Sequence, residues 1–310
     1  MPQQTMDSLA SQRLDIRLNV NMGAFTTLGA GGQAQALVDV RDLEALRALL
    51  SWCRENTIRW QVIGAGSNVL VASDHFPGIF VRLRGAFKEV AAPVSAAGTG
   101  AEVLVQVGAG YSLSRLAWSC AGKSLSGLEW AVGIPGTVGG AICMNAGAYG
   151  STMGAHIEDL ACLDHRGRLH ILSARQLGFR YRKTVFPDNI VGPSPVILGT
   201  TVVLQLDDGR AIQERCRANR RQRKQKLPGG VGTAGSFFKN PSGDYAGRLI
   251  DAAGLKGTRV GDAEVSFRHA NVIINRGQAT ATDIVALMQV VQAEVKNQSG
   301  IDLEPEVQIF

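Results

Sequence analysis

Apolar residues along the chain follow helical spacing in some segments and strand spacing in others, with no regular repeating unit. Residues 42–57 carry apolar side chains three and four positions apart, which predicts a helix with Asp42 as its N-cap. The same spacing over residues 282–297 predicts a long amphipathic helix. Further helices are predicted over residues 111–120, 209–226 and 245–253.

Strands are predicted where apolar residues alternate or form short runs. They are expected on both sides of a turn at residues 64–68, near residue 264, and over residues 36–40, 79–83, 103–107, 157–163, 169–173, 196–206, 271–274 and 305–309. Residues 1–20 are interpreted as a leading arm with little pattern. The mixed order of helices and strands favours an α+β fold, and 310 residues are enough for two or three domains with buried cores.

The glycine-rich segment over residues 127–150 departs most from an ordinary globular sequence. It contains seven glycines and almost no charge. A backbone of this kind can make tight turns and come into contact with a flat or phosphorylated ligand. Close packing of a helix against a sheet is the alternative explanation.

A second glycine-rich turn lies at residues 64–68. It is not a dinucleotide fingerprint, because Val69 stands where the last glycine belongs and a strand is predicted to follow it. The turn is instead suited to a diphosphate, which consecutive backbone amides can bind with Ser67 and Asn68 as side-chain donors.

The chain has a formal net charge of +6, and much of the positive charge lies in the predicted helix over residues 209–226. A solvated helix face explains such a cluster, and a site for one phosphorylated small molecule is the sharper hypothesis. A nucleic-acid partner is disfavoured, because no aromatic residue is interleaved with the basic ones. The sequence shows neither a membrane span nor a secretory signal, so a cytoplasmic protein without a membrane partner is expected.

Cysteine and histidine residues do not suggest a disulfide framework or a metal centre. The five cysteines are widely spaced, which favours reduced, buried thiols. His165 and His170 lie near Cys162 and Asp164, but these residues are spread along a predicted strand, turn and strand. No metal site is therefore expected.

Four motifs follow one another along the chain. The motifs are Gly-Ala-Gly-Ser-Asn-Val-Leu-Val at residues 64–71, Gly-Ile-Pro-Gly-Thr-Val-Gly-Gly-Ala at 133–141 with Asn-Ala-Gly-Ala-Tyr-Gly at 145–150, Gly-Ser-Phe-Phe-Lys-Asn-Pro at 235–241, and Leu-Glu-Pro-Glu-Val at 303–307. Their common order is more specific than any single motif. Together they closely resemble the UDP-N-acetylenolpyruvoylglucosamine reductase (MurB) family of peptidoglycan precursor synthesis, and the resemblance runs from about Thr26 to the C-terminus.

The resemblance implies an FAD-binding fold of the vanillyl-alcohol-oxidase type in two subdomains, residues 1–86 and 87–210. A smaller substrate-binding α+β domain would follow over residues 211–310, with its final strand carrying Glu306 back to the active site. Tightly bound, non-covalent FAD, NADPH as co-substrate and a monomeric enzyme are also implied. The implied reaction reduces the enolpyruvyl ether of UDP-N-acetylglucosamine to UDP-N-acetylmuramate, with hydride passing from NADPH through the flavin to the vinyl carbon.

The resemblance also assigns three catalytic residues. Arg182 would stabilise the enolate-like charge with a permanent cation, Ser236 would donate the proton, and Glu306 would assist the same intermediate. Taken alone, these residues are equally typical of a surface arginine, a turn serine and an edge-strand charge. Glu304 shares a face with Glu306 on the predicted strand, so periodicity leaves both glutamates open.

The remaining site residues are implied in the same way. Substrate contacts are expected for Tyr181, Lys226 and Asn240. The chain resembles the shorter type of the family, which lacks a substrate-covering insertion, and residues 22–32 depart from the family pattern. Contacts with FAD are implied for Gly64, Ala65, Gly66, Ser67, Asn68, Gly133, Ile134, Gly136, Thr137, Gly140, Asn145 and Gly147.

Another FAD-dependent oxidase or dehydrogenase of the same fold is the alternative function.

Overall fold

The computed structural model describes residues 14–95, 101–192 and 194–310. This part of the chain forms two compact units, and each unit has an apolar core of its own. The first unit comprises residues 14–17, Ala36–Gly64 and Gly78–Arg221, and the second comprises Leu18–Gln35, Ala65–Pro77 and Gln222–Phe310. No helix within the described ranges is long and apolar enough to cross a membrane.

The longer helices lie close to their predicted positions, because their capping and apolar residues act locally. The α-helices are α1 (Leu43–Glu55), α2 (Leu113–Ala121), α3 (Val138–Cys143), α4 (Asp188–Val191), α5 (Gly209–Lys226), α6 (Ala246–Ala252) and α7 (Ala281–Ser299). Asp42 caps α1 as predicted, with its carboxylate accepting a 2.9 Å hydrogen bond from the amide of Ala45. Thr280 and Asp283 form a capping box at the start of α7.

A six-stranded antiparallel sheet contributes much of the core of the first unit. Its strands run in the order β12-β11-β15-β7-β6, and β8 also pairs with β15. Their bounds are β6 (Val94–Ser95), β7 (Glu102–Gly108), β8 (Leu125–Ser126), β11 (Ile157–Leu163), β12 (Leu169–Ser173) and β15 (Val196–Leu206). The strands predicted over residues 157–163, 169–173 and 196–206 are thereby confirmed.

Two small hairpins and a four-stranded sheet contain most of the other strands that precede α5. The hairpins pair β9 (Gly147–Ala148) with β10 (Ser151–Thr152), and β13 (Gly178–Arg180) with β14 (Lys183–Val185). The four-stranded sheet has the order β1-β2-β5-β3, formed by β1 (Asp15–Asn21), β2 (Gln33–Val40), β3 (Arg59–Val62) and β5 (His75–Leu83). Strands β3 and β5 are parallel.

The second unit contains a four-stranded sheet. Residues of this sheet and of the helices α6 and α7 form the core of the unit. The sheet has the order β16-β19-β18-β17, with β16 (Gly232–Ser236), β17 (Arg259–Val260), β18 (Ala263–Val265) and β19 (Val272–Asn275). A separate parallel pair joins β4 (Val69–Leu70) to β20 (Gln308–Ile309). Phe237 and Phe238 follow β16 directly and are at most 1% exposed, so the end of this strand is anchored in the core.

The structure corrects two predicted segments. Strand β1 lies within the region interpreted as a patternless arm, although Ile16, Leu18 and Val20 alternate with polar residues as a strand requires. The strand predicted over residues 305–309 is shorter. Only a bridge to Phe238 forms at Pro305, and regular pairing begins at β20, because the chain changes hydrogen-bonding partners between these points.

The predicted burial of the cysteines holds for four of the five. Cys53, Cys120, Cys162 and Cys216 are buried, whereas Cys143, the last residue of α3, is exposed. Burial raises the pKa of the Cys53 thiol to about 12. A thiol with such a pKa is protonated at neutral pH and therefore a poor nucleophile.

Asp164 organises the turn that carries the histidines considered for a metal site. Its buried carboxylate accepts hydrogen bonds from the backbone amides of Arg166 and Arg168, and His170 Nε2 lies 3.1 Å from Oδ2. No group of three or more potential metal-ligating side chains occurs in the parts of the chain that the structure describes.

A single buried carboxylate neutralises a group of arginines in the first unit. Asp39 is 7% exposed and accepts two hydrogen bonds from Arg82, at 2.6 and 2.7 Å. Arg84 and Arg17 lie 3.7 and 3.9 Å from the same carboxylate. Burial alone would raise the pKa of Asp39, but the hydrogen bond and charge of Arg82, with the charges of Arg84 and Arg17, hold it below the usual value.

We expect Asp39→Asn to lower the free energy of unfolding by about 3 kcal/mol, because it leaves clustered guanidinium groups without their buried counter-charge. Asp15→Asn, which removes an exposed partner of Arg17, should cost less than about 1 kcal/mol. Urea unfolding of both variants at neutral pH measures the difference. Similar midpoints for the two variants would contradict this account.

The same group predicts a pH dependence. Because the pKa of Asp39 is lower in the folded protein, its contribution is fully present above the pKa of an unfolded aspartate and is lost as the pH falls through the folded value. The stability difference between wild type and Asp39→Asn should therefore shrink on acidification below about pH 4. Urea midpoints measured from neutral to acid pH test this, and a constant difference would refute it.

Candidate active site

The two glycine-rich segments meet at Gly64. A Cβ atom placed on this exposed glycine would lie 2.5 Å from Thr137 Oγ1, closer than real side chains approach. Both residues belong to the first unit. The structure therefore brings the start of the first glycine-rich turn against the second glycine-rich segment, and only glycine allows this approach.

Gly66 fixes the next part of the turn within the second unit. Its φ is +64°, and a Cβ atom would lie 2.1 Å from the carbonyl oxygen of Phe25. The carbonyl of Gly66 accepts a 3.0 Å hydrogen bond from the amide of Thr27, whose hydroxyl donates to the carbonyl of Thr233 at 2.7 Å. Thus Phe25 and Thr27, within residues 22–32, help to hold the glycine-rich turn.

The second glycine-rich segment combines close packing with an open backbone surface. Gly139 packs against Ala109, since a Cβ atom on Gly139 would lie 2.9 Å from that of Ala109. Gly133 and Gly140 are exposed, and a Cβ atom on Gly140 would meet only Thr137 Oγ1, at 3.4 Å. Close packing therefore explains Gly139, whereas the backbone at Gly133 and Gly140 is open to solvent.

The chemistry of this surface suits an anionic, flat cofactor. Residues 130–150 contain no Asp, Glu, Lys or Arg, so no carboxylate repels a diphosphate along the segment. The Gly133 amide already donates to Ser114 Oγ at 2.8 Å, and the Gly140 amide lies 3.3 Å from the capping hydroxyl of Thr137. The remaining exposed backbone, with the small residues around it, leaves room for close contact with a ligand.

The side chain of Asn145 is buried and bonds to the protein backbone through both of its polar atoms. It is 5% exposed, and its Nδ2 donates to the carbonyl of Arg180 at 3.0 Å while its Oδ1 accepts from the amide of Gly154 at 2.9 Å. The side chain is therefore used by the protein backbone. Gly147 is also in contact with the hairpin of β13 and β14, because its carbonyl accepts a 3.2 Å hydrogen bond from Arg182 Nη1.

Arg182 lies in the two-residue turn between β13 and β14, next to Tyr181. Its φ is +55°, a left-handed conformation that costs a non-glycine residue about 1–2 kcal/mol. Its guanidinium carbon lies 5.3 Å from the centre of the Tyr181 ring, which is 56% exposed. Strain of this kind persists where the surrounding structure imposes it, often at functional sites.

The second unit brings the segments of Ser236 and Glu306 together. Ser236 is the half-buried last residue of β16, where the pairing with β19 is irregular and Gly235 has a φ of +79°. The amide of Glu306 donates to the carbonyl of Phe237 at 2.8 Å, next to Ser236. The side chain of Asn68 donates to the carbonyl of Glu306 at 2.9 Å, so the first glycine-rich turn joins the same group.

Asn271, to which the sequence analysis assigned no role, fixes the backbone that follows Ser236. It is 4% exposed, its Nδ2 donates to the carbonyl of Phe238 at 2.8 Å, and its Oδ1 accepts from the amide of Phe238 at 2.9 Å. Its carbonyl also accepts from Phe237. The side chain thus continues the β16–β19 ladder past Ser236. In the sequence, a polar residue directly before the apolar run of β19 was the pattern that could have indicated this role of Asn271.

The two glutamates left open by periodicity have different surroundings. The side chain of Glu304 is 70% exposed and forms an ion pair with Lys239. Glu306 is half-buried and fixed through both its backbone amide and its carbonyl. The irregular backbone at residues 306–307 removes the strand periodicity on which the comparison of the two residues rested.

The predicted substrate residues Asn240 and Lys226 also lie in the second unit. Asn240 Oδ1 accepts from the amide of Ala246 at 3.1 Å, so its side chain caps α6. Lys226 is exposed at the end of α5. Burial lowers the pKa of His269, and the positive charges of Lys226 and Lys256 lower it further. A neutral histidine therefore lies near a pair of lysines on this unit.

Arg215 of the basic helix has a structural role. It donates to Glu129 at 2.8 Å and to Asp207 at 2.7 Å. Burial alone would raise the pKa of Glu129, but hydrogen bonds from backbone amides, Arg215 and Ser126 hold it below its usual value. The one carboxylate of the segment over residues 127–150 therefore attaches α5 to this segment and does not face a ligand as an acid or base.

Comparison with known proteins gives matches over most of the chain. Residues 34–173 match the FAD binding domain family, and residues 225–310 match the C-terminal domain of UDP-N-acetylenolpyruvoylglucosamine reductase. A protein of that reductase name from Desulfosudis oleivorans is 43% identical, covering 93% of this chain and 92% of its own. UDP-N-acetylenolpyruvoylglucosamine reductase 2 of Symbiobacterium thermophilum is 40% identical, covering 92% and 89%.

A solved structure is similar to this chain over nearly its whole described length. The crystal structure of UDP-N-acetylenolpyruvylglucosamine reductase (MurB) from Thermus caldophilus has a TM-score of 0.78 and 35% identity, and covers 96% of this chain and 99% of that one. With the domain matches, this confirms the predicted α+β fold with an FAD-binding domain followed by a C-terminal domain.

Gly66→Ala should weaken FAD retention at least about tenfold, because the new methyl group would lie 2.1 Å from the Phe25 carbonyl and displace the turn. Gly150→Ala is the matched control, since Gly150 also has a positive φ of +84° but no atom lies within 4 Å of the added Cβ. FAD content after dialysis measures the effect. Equal retention by both variants would contradict the role of the turn.

Proposed function

The chain belongs to the UDP-N-acetylenolpyruvoylglucosamine reductase family, and on this premise we propose that it reduces the enolpyruvyl ether of UDP-N-acetylglucosamine to UDP-N-acetylmuramate. It is an FAD-dependent oxidoreductase with NADPH as co-substrate, and it belongs to peptidoglycan synthesis, on which cell-wall formation, cell shape and division depend. The full-length relationship to named reductases carries the proposal.

The cofactor is proposed to lie on the two glycine-rich segments. Backbone atoms of the first turn, with the Ser67 and Asn68 side chains, are suited to the diphosphate. The exposed glycines of the second segment are suited to close contact with flat rings. Bound FAD supplies hydride transfer between NADPH and the vinyl carbon. We therefore retain the predicted FAD residues, apart from the side chain of Asn145.

Arg182 is proposed to stabilise the negative charge that hydride addition places on the carboxylate-bearing fragment. A guanidinium group remains cationic at every working pH and presents a planar set of donors that suits a carboxylate. Its position in a strained, hydrogen-bonded turn supports this assignment, since a prearranged charge costs little reorganisation during the reaction.

Ser236 is proposed to donate the proton that completes the reduction, and Glu306 to assist the same intermediate. A serine hydroxyl is a weak acid, so its contribution depends on position. The contact between the Glu306 amide and the Phe237 carbonyl supports a common site for these two residues. Tyr181, Lys226 and Asn240 are proposed to bind substrate.

The proposal has three further parts. Residues 1–86 and 87–210 would bind FAD, and residues 211–310 would bind substrate. The enzyme would be a monomer, without nucleic-acid or membrane partners. It would work in the cytoplasm.

Ser236→Ala should leave FAD content and flavin reduction by NADPH unchanged, and should slow the reoxidation of reduced flavin by the enolpyruvyl substrate about 100-fold, because the proton donor is lost. Anaerobic stopped-flow measurement of flavin absorbance separates the two half-reactions. Reoxidation at the wild-type rate would remove Ser236 from its role.

Glu306→Gln should slow the same second half-reaction by about tenfold or more, since it removes the carboxylate while keeping the shape of the side chain. Glu304→Gln is the matched control, because Glu304 is exposed and paired with Lys239. The assignment fails if both variants, measured in the same experiment, slow reoxidation equally.

A further inference from the structure

The buried amide of Asn145 lies where the second glycine-rich segment meets the hairpin of β13 and β14. Its two polar atoms bond to different backbone segments, Nδ2 to the carbonyl of Arg180 and Oδ1 to the amide of Gly154. Asn145 has a φ of +41°, a conformation that asparagine tolerates better than most residues. These contacts all lie in the first unit.

Arg180 is the last residue before the turn that contains Arg182. It pairs with Lys183 across the hairpin, so the turn consists of Tyr181 and Arg182 alone. Holding the carbonyl of Arg180 therefore fixes the point from which this short turn begins. Because Arg182 adopts a left-handed φ, the turn requires such external support.

Other contacts fix the rest of the hairpin to the same surface. The hydroxyl of Thr184, which is 6% exposed, donates to the carbonyl of Ile142 in α3. A Cβ atom on Gly154 would lie 2.4 Å from the ring of Phe179, so this ring packs on the glycine backbone. Of these three contacts, the one from Asn145 to the Arg180 carbonyl lies directly before the turn.

We propose that Asn145 is a positioning residue, whose amide holds the Arg180 carbonyl and thereby sets the position of the Arg182 guanidinium. The proposal rests on the role of Arg182 under the proposed function. It gives the asparagine of the second motif a purpose other than binding FAD with its side chain. The cofactor-facing segment would then orient the charge that acts on the substrate.

Two variants remove the contact in different ways. Asn145→Gly accommodates the positive φ and deletes both side-chain hydrogen bonds. Asn145→Asp keeps the shape and the acceptor for Gly154, but replaces the donor to Arg180 with a carboxylate oxygen. Both should loosen the hairpin, which faster amide hydrogen exchange over residues 178–185 would reveal without any measurement of activity.

Both variants should retain FAD and be reduced by NADPH at nearly the wild-type rate. Reoxidation by the enolpyruvyl substrate should be slowed about 10- to 100-fold, because small displacements of a catalytic group have effects of this size. In an Arg182→Ala background, Asn145→Gly should add no further slowing, since its effect passes through Arg182.

Asn275→Asp is the matched control. Asn275 is 6% exposed, donates from Nδ2 to the carbonyl of Leu28 at 3.1 Å, and accepts from the amides of Gly277 and Ala279. The same replacement there should lower stability while leaving reoxidation per bound flavin unchanged. If loss of stability alone caused the effect, Asn145→Asp and Asn275→Asp would slow flavin reoxidation equally, and the proposal would be refuted.

The remaining outcomes are distinct. Loss of FAD or slow reduction by NADPH in the Asn145 variants would overturn the proposal in favour of cofactor binding. If the Asn145 variants reoxidise their flavin at the wild-type rate while Arg182→Ala reoxidises slowly, the positioning role of Asn145 is refuted and the proposed function stands. Wild-type reoxidation in Arg182→Ala would refute the role of Arg182 itself, and with it the positioning role of Asn145.

Discussion

The close approach of Gly64 to Thr137 is the constraint on which the packing of Gly64 against the second glycine-rich segment depends, within the first unit. A side chain of any size at residue 64 would collide with the threonine hydroxyl that caps α3. Gly66 and Gly139 make similar approaches to Phe25 and Ala109. These three glycines are thus required by close packing inside the protein, whereas Gly133 and Gly140 are exposed.

Two buried asparagines have corresponding roles in the two units. Asn145 holds the backbone beside Arg182, and Asn271 holds the backbone beside Ser236. An asparagine side chain can donate and accept at once, so it can replace a missing partner where a regular ladder stops. Such positions occur where strands end, and Arg182 and Ser236 lie at the ends of β13 and β16.

Some of the arginines form ion pairs inside the protein, whereas Arg182 is proposed to act on the substrate. Arg215 and Arg82 are committed to buried carboxylates, Glu129 and Asp39. Neither could be distinguished by residue type from the arginine proposed for catalysis. The basic character of α5 therefore does not by itself identify a ligand site, because part of it neutralises charge inside the protein.

Local patterns in the sequence determined most elements and the order of the motifs. Helix periodicity and the Asp42 cap predicted α1, alternation predicted β11 and β12, and the ordered motifs indicated the family. Tertiary structure decided where the last strand breaks, which polar atoms of Asn145 are occupied, and that Arg182 adopts a left-handed backbone. These features depend on hydrogen bonds between residues tens to hundreds of positions apart, such as Asn68 and Glu306, and periodicity along the chain carries no information about such partners.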